Sequence, residues 1–100
     1  MPKLYEYLGL IVFFYSNEHE PVHVHAQYGE FESKIEFLIV NGTLKSLKVK
    51  SVVGRRPLPS KHLKNFKYLA EKLSDEIVQS WVNYFVYHKK IVAKKIQGKL

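Results

Sequence analysis

Two alternating runs flank the dipeptide Gly29-Glu30, and this arrangement limits the fold more than any other feature of the chain. Glycine reaches positive φ without steric cost, and a Gly in first place of a two-residue loop suits a type II′ turn, whose twist matches that of antiparallel strands. Closing a hairpin there sets Tyr28 opposite Phe31, Ala26 opposite Ser33, Val24 opposite Ile35 and Val22 opposite Phe37. Those residues make one largely apolar face. The other face carries His23 opposite Glu36, His25 opposite Lys34 and Gln27 opposite Glu32. A slip of one residue would turn every valine toward water, so burial of the apolar face specifies the register.

The rest of the chain builds outward from this hairpin. Tyr7 to Tyr15 reads as a first strand, apolar on both faces and therefore central or covered on both sides, and ended by the polar stretch Ser16 to Pro21. Asn41-Gly42 is a type I′ turn signal leading into a fourth strand from Thr43. In strict register that strand would turn Ser46 and Lys48 inward in place of Leu47 and Val49, and a bulge near Lys45-Ser46 restores the parity. Residues 51–59 read as a loop holding Gly54, Pro57, Pro59 and the pair Arg55-Arg56. A helix is expected from Ser60, with Leu63, Phe66, Leu69, Ala70 and Leu73 at three- and four-residue spacing. Ser74 reads as the N-cap of a second helix, with Asp75 and Glu76 in its first turn, an apolar stripe of Ile77, Val78, Trp81, Val82 and Phe85, and His88, Lys89 and Lys90 in its last turn. Residues 91–96 either extend this helix or form a final strand, and β-branched Ile91-Val92 favours the strand.

Strands before helices predict an α+β domain: a four-stranded, mostly antiparallel sheet, with a fifth C-terminal strand as an option, packed against two C-terminal helices. One domain spans 1–100, divided into a sheet meander at 1–53, a basic loop at 54–59, two helices at 60–90 and a tail or strand at 91–100.

Composition narrows the function. With no cysteine, disulfides and thiolate zinc sites are excluded. The apolar run from Leu8 falls short of the roughly 20 residues of a membrane helix and lacks a small-residue cleavage site after it, so a cytoplasmic protein with no membrane partner is expected. A formal net charge of +7 points to an anionic partner, either nucleic acid or an acidic protein. A strand apolar on both faces also suggests a homodimer.

Three sets of residues invite a functional reading. His19, His23 and His25 sit close together, and the latter two, two apart on a strand, share a face where neutral imidazoles could hold a divalent metal such as zinc. Glu32 or Glu36 could add a ligand, while Lys34 opposite His25 opposes a dication there; the alternative is a polar face with a His23–Glu36 cross-strand hydrogen bond. His23 beside Glu36 is also the base-plus-orienter half of an acid–base enzyme, but no phosphate loop, serine elbow or paired-histidine zinc motif accompanies it. The third set is basic: Lys45, Lys48 and Lys50 on the fourth strand, Arg55 and Arg56 in the loop, and Lys61, Lys64 and Lys67 on the first helix, a surface for nucleic acid or another anion. Its alternative is a solvated face.

The stretch Phe14-Tyr15-Ser16-Asn17-Glu18-His19-Glu20-Pro21-Val22-His23-Val24-His25, with Tyr28-Gly29, Ser33-Lys34-Ile35, Gly54-Arg55-Arg56-Pro57-Leu58 and Ile77-Val78-Gln79-Ser80-Trp81, resembles the bacterial family of domain of unknown function 4160 over most of the chain. Val22 stands where many members have a second proline, and the segment before the arginine pair is longer than in short members. The resemblance carries no activity. It implies a small protein partner encoded nearby, an arrangement similar to toxin–antitoxin pairs, and it marks His23 and His25 for testing.

Overall fold

The computed structural model describes residues 2–17 and 21–100. Among them run β1 (Lys3–Tyr7), β2 (Leu10–Phe13), β3 (His23–Tyr28), β4 (Phe31–Val40), β5 (Thr43–Ser51), α1 (Ser60–Lys72), α2 (Ser74–Phe85) and β6 (Lys94–Ile96). The strands form one sheet in the order β5-β4-β3-β2-β1-β6. All neighbours are antiparallel except β1 and β6, so the sheet is mixed and has six strands where four, with an optional fifth at the C-terminus, were expected.

The central hairpin forms in the register that its valines require: His23 faces Glu36, Val24 Ile35, His25 Lys34, Ala26 Ser33, Gln27 Glu32 and Tyr28 Phe31. Gly29 has φ 58°, as the first central position of a type II′ turn demands. Asn41 and Gly42 both take positive φ in the next turn, and Lys45 is skipped by the β4–β5 ladder, which pairs Ile39 with Leu44 and then Leu38 with Ser46. The bulge returns Leu47 opposite Phe37 and Val49 opposite Ile35.

The first strand needs correction. The segment 7–15 is not one strand; the chain reverses at Leu8 (φ 47°) and Gly9 (φ 84°), so that β1 and β2 form a hairpin of their own. Leu8 bears no turn signature, and it is apolar, which joins it to the run that follows. Gly9 is required twice over, by its φ and because a Cβ there would lie 2.8 Å from the Tyr28 ring. Both sides of the apolar segment are covered within the chain: Leu10, Val12 and Phe14 join the main core, and Phe13 is equally buried beneath Tyr15 and His25.

One face of the sheet, through Leu10, Val12, Val24, Ala26, Ile35 and Phe37, packs on Phe66, Leu69 and Ala70 of α1 and on Ile77 and Trp81 of α2. Each buried Val, Leu, Ile or Phe among them contributes about 1.5–3 kcal/mol through burial, and each alanine less. The helices begin and end differently from expectation in two places. Leu73, not Ser74, caps α2, because its amide closes α1 onto Leu69 O while its carbonyl accepts the Ile77 amide; the two helices abut at one residue and Ser74 becomes the first of α2. α2 then stops at Phe85, before His88, Lys89 and Lys90. His88 adopts φ 56°, and the amides of Tyr87 and Lys89 return to the carbonyls of Val82 and Asn83.

Residues 94–96 do form a strand, held by more than its ladder. Tyr5, opposite Lys94, donates its hydroxyl to Glu76 Oε1 (2.9 Å), and Lys94 Nζ donates to the same oxygen (2.9 Å). Burial first, then the Glu76 carboxylate, pushes the Tyr5 phenol far above its ordinary value. The Lys94 hydrogen bond draws Glu76 below the usual carboxylate range.

Candidate functional site

The second face of the sheet carries the residues singled out for chemistry, and it is not the solvated polar face expected of alternation. His23 and His25 are only 5% and 4% exposed, and Glu32 is 0% exposed. Aromatic rings cover them. His25 stacks on Phe13 at 5.5 Å between centroids and meets the Tyr15 ring edge-on at 4.6 Å, while His23, at the start of β3, lies 5.2 Å from Trp81 of the helix layer.

At the centre is the Glu32 carboxylate. Tyr15 donates its hydroxyl to it, 3.1 and 2.9 Å from the two oxygens; Gln27 Nε2 donates to Oε1 at 2.9 Å; His25 Nδ1 lies 3.0 Å from Oε2; and Arg55 Nε stands 3.7 Å from Oε1. An ionised carboxylate only accepts, so with Glu32 in that form the proton of this contact lies on His25 Nδ1. A charge so far from water is stable only with donors of this kind around it. Tyr15 is the participant that the spacing did not single out, and Glu32 was expected only as an optional metal ligand, not as the centre of a buried network. The signal for Glu32 is a diagonal one: it faces Gln27 and stands diagonally from His25, a separation that long side chains can close.

The expected His23–Glu36 pair is opposite in register, but the hydrogen bonds run elsewhere. His23 Nδ1 donates to Pro21 O at 2.7 Å, and Glu36 Oε1 lies 3.4 Å from Lys50 Nζ. Acid–base catalysis needs a group that reaches substrate, and side chains as enclosed as His23, His25 and Glu32 present almost no surface to one. As for a metal, His19 lies outside the described residues, the His23 and His25 rings are 5.2 Å apart, and no set of three or more His, Asp or Glu among the described residues is placed to hold an ion.

The same network reaches the surface through the basic loop. Glu32 N–H donates to Arg56 O (2.8 Å), Phe31 and Arg56 form a parallel bridge, and Leu58 N–H donates to the buried Ser33 Oγ (3.0 Å). Arg55 is held by Glu32 and reaches Gly29 O at 3.5 Å. The loop after β5 is therefore fastened to β4 at two successive residues, with the Arg56 backbone and the Arg55 side chain tied to it.

Register places the other cations beside them. Lys50 faces Lys34 and Lys48 faces Glu36, while Arg56 lies beside Phe31, three residues from Lys34 and so about 10 Å further along β4. Lys48, Lys50 and Arg55 share the face away from the helices, and Lys61 stands apart in the first turn of α1, on the helix side. Lys48, Lys50 and Ser46 also line a groove of about 330 Å3 with Glu36, Pro21, the exposed Leu38 and the rim of the buried Phe37. The surface is thus a cationic strip beside an apolar floor, with Glu36 interleaved.

Comparison with protein families matches residues 9–82 to the family described as Domain of unknown function (DUF4160). No curated protein and no solved structure matches the chain significantly. Among the described residues no helix is long and apolar enough to cross a membrane.

Proposed function

The chain belongs to the family described as a domain of unknown function, DUF4160, and from its geometry we propose a non-enzymatic binding module that grips an acidic protein as one half of a two-protein unit. The observation that carries this reading is the fastening of the Arg55-Arg56 loop to Glu32 and Ser33. Arginines held in place before contact lose less conformational freedom on binding, which favours affinity. The cations Lys48, Lys50 and Arg55 share one face, and Arg56 has no ion pair among the described residues.

A protein suits this surface better than a nucleic acid. The groove mixes lysines with Leu38, Phe37 and Pro21, and Glu36 sits among the cations where a phosphate backbone would meet it. Single-stranded nucleic acid is gripped by aromatic platforms, and the exposed Tyr28 is already stacked on His62 at 3.8 Å. The alternative reading, an acid–base or metal-dependent enzyme centred on His23, His25 and Glu36, draws on the His25–Glu32 contact, and the burial of both residues weighs against it.

The test compares binding of polyglutamate, a mixed-sequence DNA and a mixed-sequence RNA to the wild type and to Lys48→Glu/Arg56→Glu, each at two salt concentrations. Retention of polyglutamate, weakened about tenfold or more by the double substitution, supports the reading. Binding of nucleic acid alone, with a steep salt dependence, would replace it with the nucleic-acid reading. No binding of any probe at low salt overturns both.

A further inference from the structure

We propose that the acidic partner docks by adding a strand to the free edge of β5, over Ser46 to Ser51. This rests on the binding reading above and specifies its mode. β5 ends the sheet, and among the described residues nothing pairs with its outer edge. A free edge presents a row of unpaired amides and carbonyls, the template for strand addition.

The edge is bounded at both ends by the fold. On one side the bulge at Lys45 breaks the ladder, and on the other the chain turns away so that Arg56 takes the next place beside β4 at Phe31. Between these limits lie about six residues, the length of an ordinary strand. Their side chains alternate in chemistry as well as direction. Lys48 and Lys50 project away from the helices, whereas Leu47 and Val49, opposite core residues Phe37 and Ile35, project toward them. Val49 remains exposed and would be covered by an added strand.

Charge selects the occupant. A second copy of β5 laid against this edge would bring lysine beside lysine, a destabilising cross-strand pairing. An extended segment alternating acidic and β-branched residues would set its carboxylates on Lys48 and Lys50 and its apolar side chains over Val49. The lysines thus reject self-association and accept an acidic strand, so one feature serves both ends.

The probe is a capped peptide of about six residues alternating Glu and Val, with a block-order peptide of the same composition as control. Binding is followed by titration and by hydrogen exchange of the β5 amides that do not donate to β4. The expected result is tighter binding of the alternating peptide, protection of those amides, and a loss of about tenfold or more in Lys48→Glu/Lys50→Glu. Unchanged β4–β5 exchange in the unliganded variant shows that the fold is intact. If both peptides bind equally and the outer amides stay unprotected, strand addition is wrong while acidic binding stands. If neither peptide nor polyglutamate binds, the underlying reading falls as well.

Discussion

His25 and Glu32 meet at 3.0 Å although they are not partners in the ladder, where His25 faces Lys34 and Glu32 faces Gln27. The contact is diagonal, and it lies within a network that joins Tyr15, Gln27 and Arg55 to one fully buried carboxylate. Its position under the arginine loop gives it a mechanical role: it holds the loop and the sheet together from beneath.

Removing that carboxylate is therefore expected to be costly. In Glu32→Ala the donors of Tyr15, Gln27 and His25 lose an acceptor in a buried site, and stability should fall by about 3–5 kcal/mol. Chemical denaturation measures the loss. A fall below about 1 kcal/mol would show that the network does not bear on stability.

Ser33 makes a narrower test of the loop attachment. Its hydroxyl oxygen accepts the Leu58 amide in a buried setting, so Ser33→Ala orphans that amide and should cost about 1–3 kcal/mol. Faster hydrogen exchange at Leu58 should accompany the loss, with exchange in the β1–β2 hairpin unchanged.

The first hairpin holds opposite signs at adjacent positions. Gly9→Ala would place a methyl group 2.8 Å from the Tyr28 ring at φ 84° and should destabilise by about 1–3 kcal/mol. Leu8 is exposed at φ 47°, where Asn is tolerated far better, so Leu8→Asn should stabilise by about 0.5–1 kcal/mol. Thermal melts of the two variants, read against the wild type, should move in opposite directions.

The Tyr5–Glu76–Lys94 cluster should make stability depend on pH at both extremes. The Tyr5 phenol binds its proton more tightly in the folded state, so its contribution is complete below the ordinary tyrosine value of about 10 and is lost as pH rises from there toward the higher native value. Glu76 behaves in the reverse sense: its contribution is present above the ordinary carboxylate value of about 4.3 and fades as pH falls through the lower native value. Glu76 is partly exposed, so solvent screens the acid effect and leaves it small. Denaturation of wild type and Tyr5→Phe between neutral pH and strong alkali should show the alkaline decline in the wild type reduced in the variant. Parallel declines would remove Tyr5 as the cause.

The two hairpins at Gly29-Glu30 and Asn41-Gly42, the bulge at Lys45 and the apolar stripes of both helices were legible because each depends on a local rule: turn geometry, strand parity or helical spacing. The first hairpin was less legible. Its turn uses an apolar leucine, and only Gly9 marks it. Membership of the histidines, Glu36 and the lysines on one face was likewise readable from a period of two.

Parity states which way a side chain points but not what lies there. The amino-acid order alone determined that His23, His25, Gln27, Glu32 and the β5 lysines share a side of the sheet. Only the tertiary structure decided that Phe13, Tyr15 and Arg55 gather around His25 and Glu32 on part of that side, that His23 at its end meets Trp81 of the helix layer, and that Lys48 and Lys50 stay in water. The physical reason is that burial depends on contacts between segments remote in the chain, and no periodicity within a strand records which distant ring will close over it.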